Sequence, residues 1–214
     1  MALHGQTDWN CQGRYQGQID ISLNAHGRKQ ARILAKKLQP IKPAAIWASD
    51  LRRARETAVI LAAPLKLRVL VHPGLRELDF GSWQGLTWLQ IAERFPDAWC
   101  RWTENPLGCT IPGGERIEKM EERFRRALVE ICGQYPGQDV FVIAHGGPIG
   151  RLLLELRGGE FWEMLQGNCA YSVLEYSQGR FAYQESGKQN ARIPRNGRPA
   201  LCKEPAYVDS VFPL

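Results

Sequence analysis

Short apolar runs alternate along this chain with longer segments that carry apolar residues on one helical face. Residues 44–48, residues 68–71 and Val140–Ala144 have the length and composition of buried strands. The segment between Ala31 and Leu38 instead places apolar side chains at i, i+3, i+4 and i+7, which is the spacing of an amphipathic helix. Such alternation is typical of an α/β fold with a largely parallel central sheet.

The remaining elements are predicted from caps, prolines and apolar stripes. Helices are expected from an Asn24 N-cap to Pro40, from a Ser49 cap to about residue 62, over the stripe that Pro96 closes, over residues 115–134, and from Pro148 onward. Residues 173–176 and 180–183 are expected to form a hairpin. Residues 1–186 are interpreted as one domain, and residues 187–214, which are proline-rich, basic and aperiodic, as a poorly ordered tail.

Three motifs that carry polar chemistry each follow a predicted strand. His4 lies directly after the first strand, Ser49 after the second, and His145 after Val140–Ala144. Sheets of this type present ligands at the carboxyl ends of their strands, so all three motifs are expected at one edge. Two His-Gly pairs in this order, with an Arg-Ala-x-x-Thr-Ala helix start between them, favour phosphoryl transfer through a histidine.

The first strand is unusually short. Only three residues precede His4, whereas a core strand usually has about five. We therefore expect either a stunted first strand or a natural start that lies upstream.

The composition is that of an ordinary globular domain, and it narrows the possible partners. No stretch approaches the roughly 18 apolar residues of a membrane span, and no secretory signal is recognisable at the N-terminus, so no membrane association is expected.

The six cysteines show neither a CxxC pair nor zinc-ligand spacing, which favours free thiols in a reducing cytoplasm over disulfides and predicts no metal site. The net charge of +6 suits a small anionic substrate, and no nucleic acid is expected because no helix carries a continuous basic face with interleaved aromatic residues.

Seven ordered motifs make the chain similar to a known family. They are residues 4–10 (HGQTDWN), 13–17 (GRYQG), 20–24 (DISLN), 49–58 (SDLRRARETA), 75–85 (LRELDFGSWQG), 112–115 (PGGE) and 145–147 (HGG). Through them, roughly residues 1–185 resemble the histidine phosphatase superfamily, in its cofactor-independent phosphatase and phosphoglycerate-mutase-like branch. The resemblance implies a three-layer α/β/α sandwich, no cofactor, and a small phosphorylated metabolite as substrate.

The resemblance also implies roles for individual residues. His4 would be the nucleophile that forms a phosphohistidine, and Glu77 would act first as general acid and then as general base, with Asp79 as a rival carboxylate. Arg53 would grip phosphoryl oxygens from a helix N-terminus, and His145 would stabilise charge as it develops. The remaining predicted substrate contacts are the neutral donors Asn10 and Gln16 and the glycines Gly5, Gly17 and Gly146, which would let the backbone approach the phosphate.

Some residues are left outside these roles. His26 and His72 match no motif and are expected at the surface. The tryptophans Trp83, Trp88, Trp99 and Trp102 lie close together in the sequence. Two roles remain open for these tryptophans: packing in the core and in a lid, or direct contact with the substrate.

One position departs from the family pattern. The family normally has arginine immediately before the nucleophile, and this chain has Leu3. Loss of one charge-assisted contact in the transition state would cost ~3 kcal/mol, roughly a hundredfold in rate. Arg14 would compensate in part if its side chain reaches the pocket. A weakly active or non-catalytic phosphate-binding protein is therefore an alternative to an active phosphatase.

The short segment between Glu77 and Pro112 favours hydrolysis over mutase activity. Mutases of this family resemble the chain in this segment but carry a longer insertion, which encloses the substrate and retains the intermediate, whereas a shorter lid admits water. The predicted function is therefore a metal-independent, cytoplasmic phosphomonoesterase of the histidine acid phosphatase type, with phosphoglycerate mutase as a further alternative. The oligomeric state is open, with a homodimer as one option.

Overall fold

A mixed six-stranded sheet organises the computed structural model, which describes residues 1–187. The strands are β1 (Ala2–Leu3), β2 (Ala45–Ala48), β3 (Val69–Val71), β4 (Val140–Ala144), β5 (Tyr171–Ser177) and β6 (Arg180–Gly187). Their spatial order is β3-β2-β4-β1-β5-β6. The first four strands along the chain run parallel, whereas β5 is antiparallel to β1 and β6 is antiparallel to β5. The predicted α/β fold with a mostly parallel sheet is confirmed.

Helices cover both faces of the sheet. In the described residues they are α1 (Asp8–Cys11), α2 (Ala25–Leu38), α3 (Arg52–Ala62), α4 (Trp88–Arg94), α5 (Pro96–Glu104), α6 (Ile117–Gln134), α7 (Gly146–Arg157) and α8 (Phe161–Met164). Successive strand residues point to opposite faces. Accordingly Ile143 of β4 packs in one core with α2 and α3, while its neighbour Val142 packs in another with α6 and α7. Two cores separated by one sheet make the three-layer sandwich.

A third apolar cluster contains most of the tryptophans. Trp83 is fully buried, and its ring makes edge contacts with Trp99 at 5.9 Å and with Trp102 at 5.8 Å between centroids. Trp88 stacks on Trp99 from outside and is 41% exposed. Core packing therefore accounts for Trp83 and Trp99, whereas Trp102 also borders the cavity described below.

Two helices begin at residues other than those predicted. Ser49 does not cap α3, whose N-cap is Leu51. The Ser49 hydroxyl accepts a hydrogen bond from the Leu51 N–H at 3.3 Å inside the preceding turn. Helix α7 begins at Gly146, so that Pro148 is its third residue rather than its first. The first and the third position of a helix both suit proline, because the N–H groups of the first turn have no partner within the helix.

Helix α5 was not predicted at all. Pro96 ends α4, as expected, but it also occupies the first position of α5, where its fixed φ and missing N–H are tolerated. One proline therefore both stops one helix and starts the next.

The first strand and the last two strands along the chain can be compared with the sequence predictions. Strand β1 has two residues, and the backbone pairing continues through the His4 N–H, which donates to the Ala144 carbonyl at 3.2 Å. The β5–β6 hairpin is confirmed and is longer than predicted. Gly187, which was placed in the tail, is the last residue of β6. Residues 188–214, the rest of the predicted tail, lie outside the described residues.

Further expectations concern the membrane and the thiols. In the part of the chain that the structure describes, none of the helices has the length and apolar character needed to cross a bilayer. Cys11, Cys109, Cys132 and Cys169 are free thiols.

Candidate active site

A cavity of about 330 Å³ opens at the carboxyl edge of the parallel strands. Loops that follow β1, β2 and β4 bring His4, Arg53 and the Gly146-Gly147 pair to it, and a connection in another part of the chain brings Glu77. The predicted convergence at one sheet edge therefore holds for these motifs. Ser49 is buried beneath the edge and does not border the cavity.

The His4 imidazole is held in one tautomer. It is 4% exposed, and its Nδ1 lies 2.7 Å from the Gly5 carbonyl oxygen, which can only accept. The proton therefore sits on Nδ1, and Nε2 carries a lone pair, which accepts a hydrogen bond from Arg53 Nε at 3.2 Å. Burial and, secondarily, the charge of Arg53 lower the pKa of His4 to about 3. The ring is thus neutral at neutral pH, and its Nε2 keeps an unprotonated lone pair.

Arg53 is a buried cation anchored by backbone. It is the second residue of α3 and only 1% exposed. Its Nη1 donates to the Ile19 carbonyl at 2.9 Å and its Nη2 to the Gly17 carbonyl at 2.7 Å, so the guanidinium is fixed by the loop after α1. Burial lowers its pKa to about 10, while the negative charges of Glu77 and Asp20 act in the opposite direction. Arg53 therefore remains charged at neutral pH beside the His4 ring.

The Glu77 carboxylate faces the same cavity. Its Oε1 accepts from the Leu78 N–H at 2.8 Å, and the Gly147 N–H lies 3.1 and 3.2 Å from its two oxygens. Burial raises the pKa of Glu77, and these hydrogen bonds together with the Arg53 charge only partly counteract it. A raised pKa suits a carboxyl group that exchanges protons near neutral pH.

The neighbouring ionisable residues are engaged elsewhere. The rival carboxylate Asp79 accepts from the Gly81 N–H at 2.9 Å and does not border the cavity. Arg76 forms a bidentate ion pair with Asp50 at 2.8 and 2.6 Å, so it does not pair with Glu77. Glu77 is therefore the carboxylate positioned for chemistry at this site.

His145 completes a pair of facing imidazoles. It is fully buried, and its ring centroid lies 5.2 Å from that of His4 with an interplanar angle of 58°. Neither of its ring nitrogens has a hydrogen-bond partner in the described residues. Burial, followed by the positive charge of Arg53, lowers its pKa well below the usual value. His145 does not itself border the cavity, but a neutral ring with unpartnered nitrogens next to the His4 ring is suited to donate a hydrogen bond to an incoming group.

The other predicted contacts are only partly brought together. Asn10, Gln16, Gly17 and Gly146 border the cavity, and the Gln16 Oε1 is buried without a partner in the described residues. Gly5 does not border it. A Cβ on Gly5 would lie 2.6 Å from the Gly27 carbonyl oxygen, so close contact with α2 explains this glycine.

Gly147 is a site residue that the sequence reasoning missed. A Cβ on Gly147 would lie 2.4 Å from Glu77 Oε1, whereas a Cβ on Gly146 would come no closer than 3.8 Å to Glu77 Oε2. The second glycine of the HGG motif therefore makes room for the carboxylate. The HGG motif could have pointed to Gly147, but the residue that requires a glycine there, Glu77, lies far away in the sequence.

Arg123 of α6, paired with Glu115, holds the Glu77 backbone, and these contacts were not predicted. Arg123 pairs with Glu115 through two contacts of 2.7 Å, and its Nη2 donates to the Glu77 carbonyl at 2.7 Å. Both side chains are mostly buried. This ion pair fixes the loop that carries Glu77.

The segment that precedes β5 supports the His4 backbone. The Cys169 N–H is shared between the carbonyls of Leu3 and His4, at 3.1 and 3.2 Å, and Asn168 Nδ2 donates to the His4 carbonyl at 3.1 Å. Cys169 adopts a left-handed backbone conformation with φ of 58°. The His4 backbone is therefore held by hydrogen bonds from Asn168 and Cys169 as well as by its pairing with β4.

Leu3 and Arg14 both border the cavity. Leu3 is 6% exposed. Arg14 reaches the cavity, but its Nη1 donates to the Gly85 carbonyl and its Nε to Gln12 Oε1 at 2.8 Å. Of the two histidines left unassigned, His26 is exposed as predicted. His72 is half-buried rather than a plain surface residue, since it caps a short 3-10 turn through the Gly74 N–H and contacts Glu130.

Comparison with known proteins gives a consistent result. The model of the histidine phosphatase superfamily (branch 1) matches residues 3–189. Phosphoserine phosphatase 1 of Hydrogenobacter thermophilus is 32% identical over 84% of this chain and 87% of its own length. A metal-independent phosphoserine phosphatase of Arabidopsis thaliana is 38% identical over 73% of this chain and 67% of its own. The structure of a mycobacterial glucosyl-3-phosphoglycerate phosphatase with VO3 superposes with a TM-score of 0.76 at 35% identity, covering 86% of this chain and 95% of that one.

Proposed function

We propose, because the chain belongs to the histidine phosphatase superfamily, that it is a metal-independent phosphomonoesterase that acts on a small phosphorylated metabolite through a phosphohistidine. The observation that carries the proposal is the state of His4. Its Nδ1 proton is tied to the Gly5 carbonyl, so the lone pair on Nε2 faces the cavity beside a charged arginine and a carboxyl group.

In the first half-reaction His4 Nε2 attacks the phosphorus atom. The new N–P bond forms as the bond from phosphorus to the ester oxygen breaks, and the ester oxygen takes the proton held by Glu77. The products are phosphohistidine, a free alcohol and the Glu77 carboxylate. The raised pKa of Glu77 favours the protonated state that this step requires.

The second half-reaction reverses the role of Glu77. A water molecule gives its proton to the Glu77 carboxylate while its oxygen attacks phosphorus, and the N–P bond breaks. Inorganic phosphate leaves, His4 Nε2 regains its lone pair, and Glu77 is again protonated. The Gly147 N–H, which contacts both carboxylate oxygens, stabilises the charged form between the two steps.

Arg53 and His145 would stabilise the phosphoryl group during transfer. The Arg53 guanidinium is already oriented by two carbonyls, so little reorganisation is needed when phosphoryl oxygens replace its contact with His4. His145, whose ring nitrogens lack a partner, would donate to another phosphoryl oxygen. Asn10 and Gln16 supply further neutral donors at the cavity.

Relatives and segment length both support hydrolysis rather than mutase activity. Similar proteins carry the names phosphoserine phosphatase and glucosyl-3-phosphoglycerate phosphatase. Between Glu77 and Pro112 the chain forms α4 and α5, which pack mainly in the third apolar cluster, the one that contains most of the tryptophans (the tryptophan cluster). A short segment that packs there supports a cavity that water can enter.

A second candidate function is supported by Leu3. Its apolar side chain borders the cavity in the position where the family has arginine, which removes one charged contact to the phosphoryl group. A protein with this cavity could bind a phosphomonoester and turn it over slowly or not at all. Such a protein would act by binding rather than by catalysis.

Trapping the intermediate tests the proposal. After brief incubation with ³²P-labelled substrate and a rapid quench, we expect acid-labile, base-stable label on the peptide that contains His4. His4→Ala should remove the label, while His26→Ala, at an exposed histidine, should retain it. Turnover should also resist EDTA and be inhibited by vanadate. Label on Cys11 or Ser49 would overturn the mechanism, and tight vanadate binding without label or turnover would favour the binding protein.

A further inference from the structure

Two chemically different groups of residues line the active-site cavity. One is the polar group of His4, Arg53 and Glu77. The other is an aromatic wall formed by Tyr15, Phe80, Trp102, Phe161 and Trp162. Phe80 lies edge-on to Tyr15 at 4.9 Å and to Trp102 at 5.8 Å, and Trp162 lies edge-on to Trp102 at 5.8 Å. These rings form one continuous surface, to which α6 adds Ile117 and Met120.

The wall offers little to compensate a charge on the substrate's alcohol portion. Among the cavity-lining residues of the described chain, Glu77 is the sole carboxylate, and it holds the catalytic proton and contacts two backbone N–H groups. Arg14 is the cation outside the phosphoryl site, and two of its nitrogens are engaged by Gly85 and Gln12. The other strongly polar side chains of the lining are the uncharged amides Asn10, Gln16, Gln166 and Asn168.

From this lining we propose that the enzyme prefers phosphomonoesters of neutral, largely apolar alcohols, including those with an aromatic ring. An ammonium on the alcohol would lose its hydration against the aromatic wall, where no described lining residue other than Glu77 carries a carboxylate. A carboxylate on the alcohol would have Arg14 as its sole cation outside the phosphoryl site among the described lining residues, and two nitrogens of Arg14 already donate to Gly85 and Gln12. A flat apolar group would instead bury its surface against the rings, with the edge and face contacts that aromatic groups favour. The inference rests on the proposed function and separates this chain from relatives named after phosphoserine.

Two matched substrate pairs test this preference without changing the leaving-group chemistry. O-phospho-L-serine is compared with its N-acetyl methyl ester, which keeps the same ester bond and removes both charges. Ethyl phosphate is compared with 2-phenylethyl phosphate, which adds only the ring. We expect kcat/KM to rise roughly 30-fold or more within each pair, a size typical of discrimination by one or two apolar or charged groups.

Variants then assign the effect to the wall. Trp162→Ala should lower kcat/KM for 2-phenylethyl phosphate by about tenfold, mainly through KM, and should leave ethyl phosphate nearly unchanged. Trp88→Ala, at an exposed tryptophan outside the cavity, should preserve the preference. If Trp162→Ala does not fold, the wild-type substrate pairs decide alone.

The outcomes separate this inference from the proposed function. Equal or better kcat/KM for O-phospho-L-serine than for its neutral derivative would overturn the substrate class while leaving a phosphatase in place. Absence of hydrolysis for all four esters would overturn the proposed function itself. A preference for the neutral serine derivative over O-phospho-L-serine, together with a preference for 2-phenylethyl phosphate over ethyl phosphate that Trp162→Ala reduces, would support the inference.

Discussion

In the proposed mechanism Glu77 has the most demanding task of any single residue, because it would donate a proton in the first half-reaction and accept one in the second. Glu77→Gln keeps the size of the side chain and its contact with the Gly147 N–H but removes the transferable proton. We expect kcat to fall by about 10²–10⁴ for alkyl phosphates, the usual contribution of a general acid. The loss should be smaller for p-nitrophenyl phosphate, whose leaving group needs no proton. Equal losses for good and poor leaving groups would argue against the acid role.

The dependence of kcat/KM on pH tests the role of Glu77 independently. Because burial lowers the pKa of His4 to about 3, the nucleophile stays neutral throughout the mildly acidic range. The first step needs protonated Glu77, whose pKa is raised, so kcat/KM for an alkyl phosphate should fall as the pH rises through that pKa. Glu77→Gln should flatten this part of the profile. Since ionisation of the substrate phosphate affects both proteins alike, the difference between the two profiles reports on Glu77.

At the scale of elements, the first turn of α7 and the loop that carries Glu77 are fitted to each other. Gly147→Ala would place a methyl group 2.4 Å from Glu77 Oε1 and force the carboxylate to move. We expect kcat to fall by roughly 10²-fold, as for a misplacement of about 1 Å, with little loss of thermal stability because alanine favours the helix. The matched variant Gly146→Ala meets nothing closer than 3.8 Å and should lose much less. Similar losses in both variants would contradict this account.

The elements that could be predicted from the sequence are those whose signal is local. Apolar runs placed β2 and β4, the Asn24 cap placed the start of α2, and the rule for carboxyl ends brought His4 and His145 to one edge. Gly147 escaped prediction because its constraint comes from Glu77, 70 residues earlier in the chain. Arg123 escaped because one arginine among several on α6 shows no local sign of its pairing with Glu115. Such contacts between distant segments have no periodicity to detect.

At the scale of the whole molecule, the cavity is assembled from segments spread along the chain. His4 directly follows β1, Glu77 lies in a loop before α4, and the aromatic wall comes partly from α8. The part of the aromatic wall that α8 supplies could not be predicted, because Phe161 and Trp162 lie outside every motif. The tryptophan cluster joins these segments, since Trp102 touches both Phe80 and Trp162. The packing of the tryptophan cluster therefore also determines the shape of the active-site cavity.

Leu3 tests how this assembly tolerates a missing charge. Its backbone lies in β1, immediately before the nucleophile, and its buried side chain borders the cavity. Leu3→Arg would place a second guanidinium near Arg53, available to grip phosphoryl oxygens. If it reaches them, kcat/KM should rise about ten- to a hundredfold, because the contact strengthens as charge shifts in the transition state.

The same change should alter stability in a way that depends on ligand. Without phosphate, a buried guanidinium close to Arg53 lacks a counter-charge, so the melting temperature should fall. Phosphate or vanadate binds the folded state and should restore much of the loss, in proportion to ligand concentration. Leu3→Met, which nearly conserves volume and adds no charge, should melt close to the wild type and gain no extra stabilisation from either anion. If Leu3→Arg neither raises activity nor gains ligand-dependent stability, the side chain at position 3 does not reach the phosphoryl group, and the pocket binds phosphate through Arg53 and the two histidines alone.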